Sequence, residues 1–394
     1  MSKGTMRKRG QSWALKFDLP PDDSGKRRTR YRTFKGTKGE AEKELRRLLG
    51  EVDEGLDVDA GKLTVAAYLE SWLEGHGPTV SAATRERYEA LIRRHIVPSL
   101  GGVKLAKVTG LRLSAFYGEK IRDGLGAVTV RHVDRVMHMA FRDAVKGRLI
   151  PFNPVEHAKA PKIETRKRQP LTDDEYMAIL GAAEGTHLKA PLVTILGTGL
   201  RRGELLALTW RNVDVEAGVL RVVQAIEETR AHGLRIKGPK TAAGRRRVDL
   251  PGFVVEVLRD HRHQQRQEHL AFGIGWTPDT LVFGDPLGRI WSPGAFTKAI
   301  TRLAAGVGVK FSPHAGRHEH FSRLMAEGCN PRVAQLRAGH SSVATTLNIY
   351  SHASDALQKE AASQMDSAFE KIQAAGGKSG GKMQNHDNEN IEKF

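Results

Sequence analysis

Three short stretches hold the residues whose chemistry stands out. "GHSSVATTLNIYSH", residues 339–352, places His340, His352 and Tyr350 among small hydroxyl residues, with Ser341 or Ser342 able to cap a short helix that delivers the tyrosine. The histidines suit metal ligation, packing or acid–base work, and the tyrosine suits packing or nucleophilic attack. A phenol has a free pKa of about 10, so a nucleophilic tyrosine needs cationic or proton-accepting neighbours. "FSPHAGRHEHF", residues 311–321, supplies both kinds of neighbour. Ser312 caps a helix with Pro313 in its first turn, and His314 and Arg317 then share a face. The guanidinium can hold phosphate oxygens in two places while the imidazole holds or passes a proton. His314 and His318 lie four apart, but a metal would want a carboxylate or further histidines, and Arg317 sits between them.

"GTGLRRGELLALTW", residues 197–210, ends a loop and starts a helix, so Arg201 emerges near a helix N-terminus, a place that favours anions. Glu204, three residues on, could brace Arg201 or its neighbours; an ordinary surface Arg–Glu pair is the alternative. Lys240 lies in "KGPKTAAG", read as a hairpin between two basic strands, with Lys237 in the same hairpin.

These groups need a scaffold, and composition bounds it. The chain has 394 residues, enough for two or three domains, and a formal charge of +18. So large a basic excess points to a polyanion, with nucleic acid ahead of anionic lipid or mere solubility. No apolar run approaches the roughly 18 residues of a membrane span, and the basic N-terminus lacks the apolar stretch of a secretory signal. Cys329 is the only cysteine, which excludes a disulfide framework or thiolate zinc site and fits a reducing cytoplasm. No metal or other cofactor is expected.

Residues 1–60 read as a small α+β domain. Residues 1–35 hold eleven Lys or Arg and three acidic residues. Trp13, Leu15, Phe17 and Leu19 alternate as a strand with one buried face, "RRTRYRTF" forms a second strand, and "GEAEKELRRLLGEV" a helix. Arg28, Arg30 and Arg32 are the expected DNA contacts, against the alternative of a solvated edge strand. Residues 62–160 read as all helical. Tyr88, Leu91, Ile92 and Ile96 make one apolar stripe and Val130, Val133, Val136, Met137 and Phe141 another, with His138 packed among them. Arg85, Arg87, Arg93, Arg94, Arg131 and Arg135 on the polar faces suit phosphates. Residues 161–170 close a proline-rich linker. Residues 171–373 form a mainly α domain with a small sheet, including a strand over "VLRVVQAIE", and the glycine-rich residues 374–394 read as a disordered tail.

Taken in order, Arg201, Lys240, His314, Arg317, His340 and Tyr350 resemble the signature of the tyrosine site-specific recombinases, the phage integrase family. "TGLRRGELLALTW", "PKTAAGRRRV", "PHAGRH" and "AGHSSVATTLNIYSH" each match a family segment. The resemblance implies arm-binding, core-binding and catalytic domains. It implies that Tyr350 attacks the scissile phosphate to form a 3′-phosphotyrosyl bond, that Arg201 and Arg317 clamp the non-bridging oxygens, and that Lys240 protonates the departing 5′-oxygen. His314 would be the acid–base partner of the tyrosine and His340 a phosphate ligand, with Glu204 and His318 in support. Double-stranded DNA carrying attachment sites, four protomers in a synaptic complex, and accessory factors that bend host DNA or direct excision are the partners it implies. The setting it implies is the nucleoid of a bacterial host.

Three positions depart from the family pattern. Ala315 and Gly316 stand in place of Asp and Leu, and Ala338 in place of Leu before Gly–His; lower local stability with retained chemistry is the expectation. The rivals are a dimer resolvase or relaxing topoisomerase using the same chemistry, and a DNA-binding regulator with a decayed site. The basic N-terminal domain favours an integrase over a resolvase, and the presence of all six candidate residues argues against decay.

Overall fold

The computed structural model describes residues 4–19, 28–53, 61–163, 169–238, 244–285, 287–339 and 355–376. The chain divides into two compact units, residues 1–167 and, apart from 229–231, residues 168–394. Three separate large clusters of buried side chains lie within them.

The first cluster belongs to an antiparallel sheet, β1 (Gly4–Arg9), β2 (Ser12–Leu19) and β3 (Arg28–Lys35), backed by helix α1 (Lys38–Asp53). Leu15 and Phe17 are buried against Ala41, Leu48 and Val52, as period-two alternation requires. β2, β3 and α1 match the sequence expectation, whereas β1 was not foreseen, because its basic residues Arg7, Lys8 and Arg9 are consecutive and carry no apolar alternation.

The second cluster joins α2 (Val65–His76), α3 (Ala82–Leu91), α4 (Val97–Leu100), α5 (Gly110–Arg122) and α6 (Ala127–Lys146). Thr64, Ser81 and Thr109 cap α2, α3 and α5 with side-chain oxygens. A π-helical turn over Ile92–Ile96 joins α3 to α4. His138 departs from the expectation of a packed histidine: its side chain is 44% exposed and lies 3.8 Å from Glu156. Position 138 falls on the flank of the α6 stripe, beside rather than within the buried row of Val133, Met137 and Phe141.

The third cluster is the core of the second unit, built from α7 (Asp173–Ala183), α8 (Lys189–Thr198), α9 (Arg202–Leu206), α10 (Gly252–Ala271) and α11 (Pro293–Gly306) with the sheet β4 (Val213–Asp214), β5 (Val219–Val222) and β8 (Arg246–Asp249). Thr172 and Glu175 form the expected capping box at α7. α12 (Pro313–Ala326) and α13 (Pro331–Ala338) follow, and α14 (Asp355–Gly376) ends the described chain. The helix thus runs beyond residue 373, and the expected tail from 377 on lies outside the described residues.

Two sheet readings are corrected. "VLRVVQAIE" is two strands, β5 and β6 (Ala225–Thr229), in different sheets. The strands flanking "KGPKTAAG", β7 (Gly233–Lys237) and β8, do not pair with each other: β7 pairs with β6, and β8 with β5. Only Val223 and Gln224 separate β5 from β6, and the nearly continuous apolar run across them hid the change of sheet.

Gly316 is also reinterpreted. A Cβ there would lie 2.8 Å from Ile195 Cγ2 and 2.9 Å from the Phe311 ring, so glycine lets α12 close on α8 rather than leaving a gap. Ala338 is fully buried against Phe321 and Ala334. Gly316→Leu should therefore lower stability by about 1–3 kcal/mol by overpacking, despite leucine's better helix propensity. A melting temperature at or above wild type would contradict this packing account.

Candidate active site

α8 ends in Gly199, whose φ of 63° is left-handed, and a Cβ there would meet His320 at 2.6 Å and Phe321 at 2.8 Å. This turn aims the chain so that Arg201 becomes the N-cap of α9. Glu204, in the first turn of α9, accepts from the Arg201 backbone N–H at 2.9 Å and from Arg201 Nη1 at 2.8 Å. It also accepts from Arg246 Nη1 and Nη2, at 3.1 and 2.8 Å, so one buried carboxylate serves two guanidiniums. Burial raises the Glu204 pKa, but the Arg246 hydrogen bond and charge, with the backbone and side-chain hydrogen bonds of Arg201, outweigh it and hold the carboxyl below its ordinary value.

α12 starts with Ser312 accepting from the Ala315 N–H, and presents Arg317 inward. Arg317 is 5% exposed; its Nη1 donates to Gly199 O at 2.5 Å and its Nη2 to Ala338 O at 2.7 Å. Arg201 Nη2 donates to Gly339 O at 3.1 Å. Two arginines 116 residues apart in sequence are thus seated on adjacent carbonyls at the end of α13. Carbonyls at a helix C-terminus are its unsatisfied acceptors, so cations belong there. Arg201 is the more open of the pair, with its side chain 44% exposed. Side by side, two guanidiniums can hold a tetrahedral oxyanion and offset charge that develops on it.

His314 is exposed in the first turn of α12, and His318 lies 3.4 Å from Ser322 Oγ. Lys240, His340 and Tyr350 lie outside the described residues, as do residues 164–168 of the expected linker and residues 377–394. Lys237, the other lysine near Lys240, pairs with Glu227, which also holds Arg235. Among the described residues no group of three His, Cys, Asp or Glu is placed to hold a metal ion, and no helix is long and apolar enough to cross a membrane. A cavity of about 620 Å³ lined by Pro191, His269, Phe272 and Trp291 meets the opposite end of α8 and touches neither Arg201 nor Arg317.

The sequence reading missed three polar residues of this site. Arg246 lay in a run of three arginines, and His320 and Arg337 stood at positions with no motif of their own. His320 Nδ1 lies 2.8 Å from Leu196 O, and its Nε2 accepts from Arg337 Nε at 3.1 Å. Arginine cannot accept, so Nδ1 carries the proton and the ring is neutral. Burial, with the charges of Arg337 and Arg317, pushes the His320 pKa down to about 4, against the opposing Leu196 bond.

The expected DNA contacts divide. Arg85, Arg87, Arg93, Arg94, Arg131 and Arg135 are all exposed. Arg87 and Arg135 line a groove between α3 and α6 together with Tyr88 and His132, while Arg93 pairs with Glu89 and Arg131 lies 4.0 Å from Asp134. In the N-terminal sheet, Arg28 and Arg30 are exposed and Arg32 is half-buried. Arg28, Arg30 and Arg32 pair across the ladder with Leu19, Phe17 and Leu15, so they share the face that α1 covers. Arg32 Nη1 lies 3.7 Å from Glu44 of that helix. The open face carries Arg7, Arg9, Lys16, Tyr31 and Lys35, with Tyr31 69% exposed. The alternation around Leu15 and Phe17 would have located them, had β1 been recognised.

Residues 169–356 match the phage integrase family, and residues 64–121 its N-terminal SAM-like domain. An integrase of Streptomyces ambofaciens is 31% identical over 352 residues, covering 86% of this chain and 89% of that protein. A tyrosine recombinase XerC-like protein of Caldanaerobacter subterraneus subsp. tengcongensis is 29% identical over 352 residues, 84% of this chain and 90% of that one. The solved structure of the Tn1549 transposon integrase with circular intermediate DNA aligns at 25% identity and a TM-score of 0.67, over 77% of this chain and all of that one. The chain is a DNA breaking-and-rejoining enzyme of the tyrosine recombinase class. It belongs to the phage integrase family, and its activity is site-specific recombination.

Two outcomes follow from the buried network. Glu204→Gln should destabilise the second unit by about 3–5 kcal/mol, because Arg246, 6% exposed, loses its counter-charge; a change within 1 kcal/mol in chemical denaturation would contradict it. His320 binds its proton more weakly folded than unfolded, so its contribution is full above pH 6.5 and is lost as pH falls toward 4, by about 3 kcal/mol in all. His320→Gln should flatten the stability profile over that window, as read from melts at pH 7.5, 6, 5 and 4.

Proposed function

We propose that the protein integrates or excises a mobile element by cutting DNA with Tyr350 and rejoining it to a second site. The observation that supports this most directly is the seating of Arg201 and Arg317 on the Ala338–Gly339 segment, eleven residues ahead of Tyr350. In this reading the tyrosine oxygen attacks the scissile phosphorus, and the bond to the 5′-oxygen breaks as the 3′-phosphotyrosyl ester forms. Arg201 and Arg317 hold the non-bridging oxygens, where transition-state charge is spread. Lys240 gives its proton to the leaving 5′-oxygen, His314 takes the tyrosine proton, and His340 holds a phosphate oxygen. The second strand's 5′-hydroxyl then reverses the ester. The ester conserves the energy of the broken bond, so the reaction draws on neither ATP nor a metal.

Residues 1–60 are the arm-type DNA-binding piece in this reading, with the open sheet face of Arg7, Arg9, Lys16, Tyr31 and Lys35 toward DNA. Arg87 and Arg135 make core contacts to phosphates. A lambda integrase tetramer has been solved on a Holliday junction, and a fourfold assembly on attachment-site DNA is proposed here by that likeness. The enzyme would act on DNA in the cytoplasm, with factors that bend DNA or set direction.

The test is an SDS-resistant adduct on duplex DNA from the region flanking the coding sequence, in EDTA. Wild type should form it and Tyr350→Phe should not, while both bind the DNA. Tight binding by both with no adduct would instead indicate a regulator. Log affinity should also fall linearly and steeply with log salt, and Arg7→Ala with Lys16→Ala should make the slope shallower by roughly two phosphate contacts. An unchanged slope would remove the open sheet face from the DNA interface.

A further inference from the structure

Three donors from two different helices close the C-terminal end of α8. His320 donates to Leu196 O, Arg337 Nη2 to Gly197 O at 3.0 Å, and Arg317 to Gly199 O. Arg337 does more than cap. Its Nη1 donates to Asp249 O at the end of β8 at 2.9 Å, its Nε donates to His320 on α12, and its own carbonyl accepts from Arg246 Nε at 2.7 Å. One residue therefore touches α8, β8 and α12 and connects, through Arg246 and Glu204, to Arg201.

We propose that Arg337 is a positioning residue for strand cleavage, fixing the Ala338–Gly339 carbonyls on which Arg201 and Arg317 are seated. This rests on the phosphate-clamp reading above. Arg337 immediately precedes Ala338, whose carbonyl holds Arg317, and Gly339, whose carbonyl holds Arg201. Its planar fork meets three acceptors on three elements at once, which lysine, a single ammonium, cannot reproduce. His320 completes the arrangement because a neutral imidazole both donates and accepts, so it joins Leu196 O to Arg337 without adding charge. A protonated ring would present a second donor to the guanidinium and open the contact. Releasing the α13 end would let both clamp arginines drift, and misplacement by about 1 Å can cost roughly 100-fold in rate.

The experiment uses the full chain and a nicked duplex from the flanking DNA, comparing Arg337→Met, Arg337→Lys, His320→Phe and His320→Gln with wild type. Three quantities are read: single-turnover adduct formation, DNA affinity, and exchange of the Arg317 Nε–H by NMR. Arg337→Met should slow adduct formation by about 100-fold, leave affinity within about threefold and speed Arg317 exchange, with partial recovery in Arg337→Lys. A merely structural residue would lower the melting temperature without separating cleavage from binding. Wild-type cleavage and wild-type Arg317 exchange in Arg337→Met would overturn the proposal. Should that variant not fold, His320→Phe removes one strut and should slow cleavage, while His320→Gln, which keeps a donor and an acceptor, should restore it; equal rates in the two would overturn the proposal. If wild type forms no adduct, the functional reading fails, and Arg317 exchange alone still decides the positioning claim.

Discussion

The site depends on one carboxylate buried between two guanidiniums. Glu204 is 5% exposed, and isolated in that position its charge would be prohibitive. Arg246 and Arg201 make it tolerable, and in return it fixes both. The arrangement ties the first turn of α9 to the first residue of β8, 42 positions later, and Arg246 then reaches the Arg337 carbonyl on α13. Packing alone would leave these elements free to slide. Directional, charge-assisted bonds with fixed lengths do not.

Backbone geometry supplies the second half of the constraint. Gly199 is left-handed where α8 ends, and neither Gly199 nor Gly316 has room for a Cβ. α12 consequently lies close enough to α8 for Arg317 to reach Gly199 O, and for His320 to reach Leu196 O. Gly316, which departs from the family pattern, is therefore part of how this chain brings Arg317 to the Gly199 and Ala338 carbonyls. The cost of Gly316 in helix propensity is offset by the close packing it allows.

Much of this was legible in the sequence, for stated physical reasons. Ser312–Pro313 and Thr172 with Glu175 announced helix starts because capping is local. Arg201, Glu204 and Arg317 could be singled out because their motifs combine turn, cap and charge. The sequence left open which face the strand arginines occupy, because facing depends on the ladder register, and β1, which completes the sheet, has no apolar alternation. His320 and Arg337 were invisible because their meaning is mutual: seventeen positions apart, each is an unremarkable polar residue until the fold brings Nε2 and Nε within 3.1 Å.

The choice of partners in this network also bears on electrostatics. Among its described side chains are four guanidiniums, of Arg201, Arg246, Arg317 and Arg337, one carboxylate, of Glu204, and one neutral imidazole, of His320. The balance is three positive charges. Arg317 is oriented by the carbonyls of Gly199 and Ala338, and Arg337 by carbonyls and His320. Dipoles orient a cation without neutralising it, whereas a carboxylate on each arginine would have cancelled the positive field of the site. Had His320 been an aspartate, Arg337 would be held as firmly, but the site would lose a third of that charge. Had it been protonated, two cations would face each other in a buried space. A neutral histidine avoids both, which is why burial and its neighbours can press its pKa down without cost to the site at neutral pH.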